Sequence, residues 1–190
     1  MQRLHLVESA QAEGQTRVLL DTVEQAFGTV PNVAKVLANS PAVLQSYLAF
    51  SQAMGEATIG GKLHHQLKLA TSESNQCEYC TSILSALAPD AGLSADEILA
   101  SRARDAEESR AKAALAFAAD VLESHGKVSD EQLHAVRAAG YSDGEIVEIV
   151  ASVVLGSFTN FVNNVAQTEL DIPQVEPLAA CESGTCQRVA

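Results

Sequence analysis

Apolar residues recur every three to four positions along most of the chain, which is the spacing of an amphipathic α-helix. The pattern is clear over residues 16–27, 62–72 and 107–124, and no stretch shows the sustained alternation of a strand. A last segment, roughly residues 143–169, is apolar on most sides as far as Asn160. Its broad apolar stripe consists of Val147, Val150, Val154, Phe158, Phe161, Val162 and Val165. We expect this helix to be central to the core or to a subunit interface.

Start signals support the same elements. Ser40 and the proline after it suit the N-cap and first position of a helix. Ser94, Ser129 and Ser142 are each followed three residues later by Glu or Gln, the spacing of a capping box. Asn75 and the glutamate at position 78 predict a further helix start of this kind.

Together these signals predict an all-α, single-domain helical bundle. An N-terminal segment over residues 1–15 precedes an all-helical domain over residues 16–172. Residues 173–190 contain Pro173 and Pro177 and form a flexible, cysteine-containing tail on this interpretation.

The net charge and the apolar runs of the chain exclude some classes of function. The chain has 190 residues and a net charge of −12, from 24 acidic against 12 basic residues. This balance argues against nucleic acid and against anionic membranes as partners. The N-terminus lacks the apolar run of a signal peptide, and the longest apolar run, Ile149 to Leu155, is too short to span a membrane. We therefore expect a cytoplasmic protein.

The reactive chemistry is concentrated in Cys77-Glu78-Tyr79-Cys80. At the start of a helix this spacing places both sulfurs on one face, and the free N–H groups of the first turn favour a thiolate. The pair could instead be two buried small hydrophobes or half of a zinc site. Zinc is the weaker alternative, because His64 and His65 form no zinc-finger spacing with the cysteines. We expect a redox dithiol without a metal or an organic cofactor.

The surrounding residues make this prediction more specific. The segment Leu69 to Cys80, together with residues 113–118, 126–130 and 160–164, resembles the alkyl hydroperoxide reductase D-type and carboxymuconolactone decarboxylase superfamily. The resemblance covers about residues 20–175 and implies a helical subunit that assembles into trimers or hexamers. It also implies a thiol-dependent peroxidase in which Cys80 attacks the peroxide and Cys77 resolves the sulfenic acid as a disulfide.

Two positions depart from the family's motif. Leu84 stands where the motif has a histidine that helps to deprotonate the attacking thiol, and His65 replaces a glutamate of the proton relay. In one interpretation His65 takes over as the base, so that Cys80, Cys77 and His65 are the candidate catalytic residues. In the other, the relay is lost and the dithiol serves slower disulfide exchange or structure alone.

Three neighbours, Glu73, Glu78 and Tyr79, are candidates for a proton relay, although caps and surface charges are the more common explanation for the two glutamates and packing for the tyrosine. A second thiol pair, Cys181 and Cys186, could pass electrons to or from the dithiol, or could be incidental.

The predicted function is reduction of a hydroperoxide or of a partner disulfide, with a thiol reductant protein as electron donor. One alternative is a non-catalytic oligomer with inert cysteines. The other is a cofactor-free decarboxylase or lactone-processing enzyme, a branch of the superfamily whose members generally lack the dithiol.

Overall fold

The computed structural model describes residues 1–178, which contain nine α-helices, one 3-10 turn at Ser9–Gln11 and no strand. The all-α prediction is thus confirmed. The helices are α1 (Gly14–Phe27), α2 (Asn32–Leu37), α3 (Pro41–Gly55), α4 (Gly61–Ser74), α5 (Glu78–Leu87), α6 (Ala95–Arg102), α7 (Ser109–Ser124), α8 (Asp130–Ala138) and α9 (Asp143–Ala166). The short helix α2 has no counterpart among the predicted elements.

Most of the start signals are confirmed. The capping boxes at Ser94, Ser129 and Ser142 all form, each with the serine side chain accepting from the backbone N–H three residues on. Helix α3 begins at Pro41 with Ser40 as its N-cap residue. These signals hold because they satisfy backbone donors locally, whatever the helices later pack against.

The capping box predicted at Asn75 is wrong. Helix α5 begins at Glu78, and its N-cap is Cys77, whose sulfur accepts a hydrogen bond from the backbone N–H of Cys80. Asn75 ends α4 instead, and its side-chain amide donates to Asn160 Oδ1 at 2.9 Å. Gln76, at a φ of 51°, reverses the chain between the two helices. The carboxamide that was expected to cap α5 is therefore committed to α9.

Helices α4 and α9 run parallel through the centre of the bundle. His64 Nδ1 lies 2.8 Å from Ser152 Oγ, and two turns further along the Asn160 amide donates to Ser72 Oγ at 2.9 Å. Midway between these contacts stands Gly156, where a Cβ would lie 3.2 Å from a methyl carbon of α4. The missing side chain thus allows the two backbones to approach closely.

The long apolar helix α9 has two different faces. Its inner face is buried against α4 and carries Ile149, Val153 and the polar residue Asn160. Much of the predicted stripe faces outward, and its exposed members are Val147, Val154, Phe158, Phe161 and Val165. Within residues 1–178, α9 is also the one helix long and apolar enough to cross a membrane, a test that core helices pass as well. The helix ends at Ala166, three residues before the predicted boundary.

After α9 the chain returns across α5 in an extended conformation. The Val175 N–H donates to Ser82 Oγ at 3.1 Å, and the Leu178 N–H donates to Glu73 Oε1 at 2.7 Å. Glu73 also pairs with the buried Arg102, with 2.9 Å between Nε and Oε2. The first residues of the predicted tail are therefore fastened both to α5, the helix that begins at the dithiol, and to α4.

Candidate active site

The two cysteines of the dithiol lie together in the interior of the bundle. Cys77 and Cys80 are free thiols with exposed fractions of 1% and 3%. They belong to a cluster of buried residues contributed by the N-terminal helices, and Leu170 packs against this cluster. The Cys80 sulfur accepts a hydrogen bond from the side-chain amide of Asn163, at 3.1 Å from Nδ2. A neutral amide donor thus points at one sulfur of the pair.

The surroundings shift the pKa values of the two thiols in opposite directions. A hydrogen bond from Cys77 is the largest influence on Cys80 and, with donors at Asn160 and Asn163, outweighs burial, lowering the pKa of Cys80 to about 7. The same hydrogen bond raises the pKa of Cys77, and burial raises it further. These directions favour the thiolate on Cys80 and the proton on Cys77. The roles of Cys80 as attacking and Cys77 as resolving cysteine stay a prediction.

The orientation of the asparagines is fixed by their other hydrogen bonds. Asn163 Oδ1 accepts from the Thr168 hydroxyl at 2.7 Å, so its amide nitrogen is left for the sulfur. Asn160 accepts from Asn75 at 2.9 Å and donates to Ser72 at 2.9 Å. Because each of the two asparagines has a partner for its amide oxygen, the Asn163 nitrogen that faces Cys80 is held in orientation rather than free to exchange places with the oxygen.

The predicted base, His65, is engaged elsewhere. Its Nε2 lies 2.7 Å from the backbone carbonyl of Leu84. A carbonyl oxygen can only accept, so Nε2 carries a proton and Nδ1 is the nitrogen left to act as a base. Burial lowers the pKa of His65, and no hydrogen bond within residues 1–178 joins it to either sulfur. Its role as a base stays a prediction.

The neighbouring His64 is bound to α9. Its Nδ1 faces the hydroxyl of Ser152, which itself donates to a backbone carbonyl of α9, so Nδ1–H is the donor. Burial, followed by the charge of Lys68, lowers the pKa of His64 to about 4. Both histidines of α4 are thus neutral at pH 7.

The three relay candidates each have another partner. Glu73 pairs with Arg102, Glu78 accepts from an amide of the C-terminal segment, and the Tyr79 hydroxyl donates to Asp171 Oδ1 at 2.8 Å. None of the three contacts a sulfur through a hydrogen bond in the described part of the chain. Their part in a relay stays a prediction. The second thiol pair, Cys181 and Cys186, lies outside the described residues.

Several residues near the dithiol were not predicted as site residues. Asn160 and Asn163 belong to a segment that carried the resemblance, but no role followed from it; polar residues within an apolar stripe were the available signal. Tyr47 of α3 lies close enough for the negative charge on Cys80 to contribute, after burial, to raising its pKa to about 12. Lys68 of α4 interacts electrostatically with the same sulfur, and burial lowers the pKa of Lys68.

No metal cluster competes with the dithiol as a site in residues 1–178. No group of three or more His, Cys, Asp or Glu side chains there could hold a metal ion. A shallow cavity between α4 and α7 contains none of the predicted site residues. It is lined by Ala70, Thr71, Ser74, Arg104, Leu115, Ala118, Ala119 and Leu122.

A buried Cys-x-x-Cys pair at the start of a helix, in an all-helical bundle, defines a class of helical dithiol proteins. The sequence profile of the carboxymuconolactone decarboxylase family matches residues 41–121. A crystal structure from Ralstonia eutropha, described as an alkylhydroperoxidase AhpD core and an uncharacterized peroxidase-related protein, is 25% identical with a TM-score of 0.76. The similarity covers 90% of this chain and 92% of that one. The chain therefore resembles the carboxymuconolactone decarboxylase family over residues 41–121 and shares the fold of AhpD-like proteins.

Two further structures share the fold. A peroxidase-related protein from Silicibacter is 19% identical with a TM-score of 0.75, over 86% of this chain and 88% of that one. A variant of the debrominase Bmp8, in complex with 2,3,4-tribromopyrrole, is 20% identical with a TM-score of 0.75. That similarity covers 90% of this chain and 94% of the debrominase. None of the curated proteins matches the chain.

Proposed function

We propose that the protein is a thiol-dependent peroxidase in which Cys80 is the nucleophile and Cys77 the resolving thiol. The observation that carries the proposal is the asymmetry of the pair. The sulfur of Cys80 faces the fixed amide of Asn163, its pKa is lowered, and the pKa of Cys77 is raised. A thiolate is the reactive form of cysteine, and a protonated neighbour supplies the proton that the next step needs.

The reaction proceeds in three balanced steps. The Cys80 thiolate attacks the distal oxygen of a hydroperoxide, the O–O bond breaks, and an alkoxide leaves and takes a proton from solvent to become an alcohol, while the proton of Cys77 is kept for the hydroxide released in the next step. Cys77 then attacks the sulfenic acid sulfur, forms the disulfide and releases water. A dithiol protein reduces the disulfide by exchange and is itself oxidised.

The direct test is hydroperoxide consumption in the presence of a dithiol reductant. The parent protein and a Cys181→Ser variant, as the cysteine control, should consume cumene hydroperoxide at similar rates. Cys80→Ser should abolish turnover, and Cys77→Ser should allow one oxidation event but no rapid recycling. If Cys80→Ser consumed the peroxide as fast as the parent, the cysteines would be inert and the non-catalytic alternative would be correct.

A brominated pyrrole should be tested as a second electrophile beside the hydroperoxide. A debrominase of the same fold is known in complex with 2,3,4-tribromopyrrole. A soft thiolate in apolar surroundings suits halogenated aromatic rings as well as peroxides. Bromide release from this pyrrole without peroxide turnover would redirect the proposal from peroxides to dehalogenation, with Cys80 still the nucleophile.

The same proposal includes a homo-oligomer, a trimer or a hexamer, formed through the outer face of α9. Its exposed apolar side chains extend from Val147 to Val165, about 27 Å along the helix. Phe158 contacts Tyr47 of α3, with ring centroids 6.1 Å apart, so the apolar face continues onto a second helix. A continuous exposed apolar strip across two helices is the kind of surface that marks a protein–protein interface.

Light scattering of the full chain tests the assembly. Phe161→Asp should reduce the mass to that of one chain, because an interface cannot bury an unpaired carboxylate. Val18→Asp, on a similarly exposed valine of α1, should leave the assembly intact. A parent protein that is monomeric at micromolar concentration would contradict the proposal. Cytoplasmic localisation stays a prediction, which cell fractionation would test.

A further inference from the structure

Lys68 is a half-buried cation without a carboxylate partner. The ion pairs of residues 1–178 include eight other basic side chains but not Lys68, although acidic residues outnumber basic ones by 24 to 12. The remaining described cations, Arg3 and Lys127, are exposed and hydrated. A partly buried ammonium group is costly unless an opposite charge faces it. The counter-charge of Lys68 is therefore a group other than a carboxylate.

The packing of α4 against α9 brings Lys68 towards the dithiol. The His64–Ser152 contact lies one helical turn before it and the Ser72–Asn160 contact one turn after it. At the level of Lys68, α9 presents Gly156, and a Cβ there would lie only 3.8 Å from the Lys68 Cα. Because α9 offers no side chain at this level, it supplies no carboxylate to pair with the ammonium group.

The antiparallel packing of α5 against α4 brings Cys80 to the level of Lys68, because both residues lie between the contact of His65 with the Leu84 carbonyl and the hydrogen bond from the Cys77 N–H to the Ser72 carbonyl at 3.0 Å. The negative charge of Cys80 raises the pKa of Lys68, whereas burial, the larger influence, lowers it.

The neighbouring titratable groups do not compete with Lys68 for the Cys80 sulfur. On α4, His64 and His65 are neutral, and the positive charge of Lys68 contributes to lowering the pKa of both. Tyr47 from α3 and Tyr79 from α5 are protonated, because burial raises their pKa values. Of these described neighbours, only Lys68 is a base with an ordinary pKa well above 7, so it is the source of positive charge beside the thiolate, although burial lowers that pKa.

We propose that Lys68 is the counter-cation of the Cys80 thiolate. It activates the thiol in place of the motif's histidine, because position 84 of this chain is a leucine. The ammonium group stabilises the thiolate before attack, and no proton transfer to His65 is required. Lys68 is a positioning residue, since it acts on the substrate through the sulfur. The inference rests on the proposed function only in taking Cys80 as the reacting thiol.

Alkylation of Cys80 as a function of pH tests this inference without any substrate. Iodoacetamide labelling of the full chain, followed by mass spectrometry of the Cys80 peptide, gives the apparent pKa of that thiol. Lys68→Met should raise it by about one unit, so that labelling at pH 6 slows about tenfold. Lys68→Arg, which keeps the charge, should restore most of the rate. Lys127→Met, which removes an exposed lysine, should have no effect.

A folded Lys68→Met protein with the parent's Cys80 pKa would overturn the inference. So would an Arg variant that behaved like the Met variant, since the loss would then be one of shape rather than charge. Failure of the proposed function is a different result. A parent protein that consumed no hydroperoxide, yet showed the pKa rise on Lys68→Met, would remove the peroxidase and leave the role of Lys68 intact.

Discussion

The hydrogen bond from Asn163 to Cys80 is the contact whose removal we expect to have the clearest chemical consequence. Asn163→Leu keeps the side-chain volume close to that of asparagine but removes the donor that lies 3.1 Å from the sulfur. The amide contributes to stabilising the thiolate but not the protonated thiol. The variant should therefore raise the pKa of Cys80 and leave the positions of α5 and α9 unchanged.

The size of the effect follows from the charge on the acceptor. A hydrogen bond to a charged group contributes about 1.5–3 kcal/mol. One pKa unit corresponds to about 1.4 kcal/mol, so the pKa of Cys80 should rise from about 7 by about one to two units. At pH 7 the thiolate fraction would then fall from about a half to between about a tenth and about a hundredth. Alkylation at that pH should slow by a factor of about 5 to 50, and the difference should vanish above pH 10.

The assay is the pH profile of iodoacetamide labelling at the Cys80 peptide, measured well below the melting temperature of each variant. Asn164→Leu is the matched control, because the adjacent asparagine donates to the backbone carbonyl of Asn75 at 3.0 Å and contacts no sulfur. Equal pH profiles for the parent and Asn163→Leu would refute the claim that the Asn163 amide stabilises a thiolate on Cys80. Equal shifts for both asparagine variants would show that a general loss of packing is responsible.

Three further predictions concern the rest of the chain. Arg102→Met leaves the largely buried Glu73 carboxylate unpaired and should lower the free energy of unfolding in urea by about 3–5 kcal/mol; a loss below 1 kcal/mol would contradict a role for this pair in holding the C-terminal segment. The Ser142 backbone N–H and other donors lower the pKa of Glu145 to about 2, so the stability it contributes is present above about pH 4.5 and lost as the pH falls towards 2. Glu145→Gln should therefore lower the melting temperature at pH 7 but have little effect at pH 2.5. If the tail thiols exchange with the dithiol, mild oxidation of the parent should give a tail-to-core disulfide that is lost in Cys181→Ser, whereas a disulfide within the core alone would show the tail pair to be incidental.

The helices and their caps could be predicted from the sequence because they depend on local contacts. The three serine capping boxes use only residues three positions apart, and each one formed. The capping box predicted at Asn75 did not form, because its side-chain amide donates to Asn160. No local rule can place this residue of α9 beside Asn75. The apolar pattern of α9 likewise predicted a core or interface helix, but not which apolar residues would face outward.

The two cysteines of the candidate site could be predicted from the sequence, but the residues around them could not. The dithiol and its likeness to a known superfamily identified Cys77 and Cys80. The donor Asn163 and the cation Lys68 lie on helices distant in sequence, and only the parallel packing of α4 against α9 brings them to one sulfur. The spacing of the family's motif indicated His65 as the base, but its Nε2 is bound to the carbonyl of Leu84.

The central claim is that Cys80 is the nucleophile and Cys77 resolves it, and trapping the first oxidation product tests this most directly. A Cys77→Ser protein, treated with one equivalent of hydroperoxide and then with dimedone, should carry the sulfenic acid adduct on the Cys80 peptide. The serine hydroxyl can still donate to the Cys80 sulfur, so the thiolate should persist in this variant. An adduct on Cys77 in the reciprocal Cys80→Ser protein, with none on Cys80 in Cys77→Ser, would contradict the account.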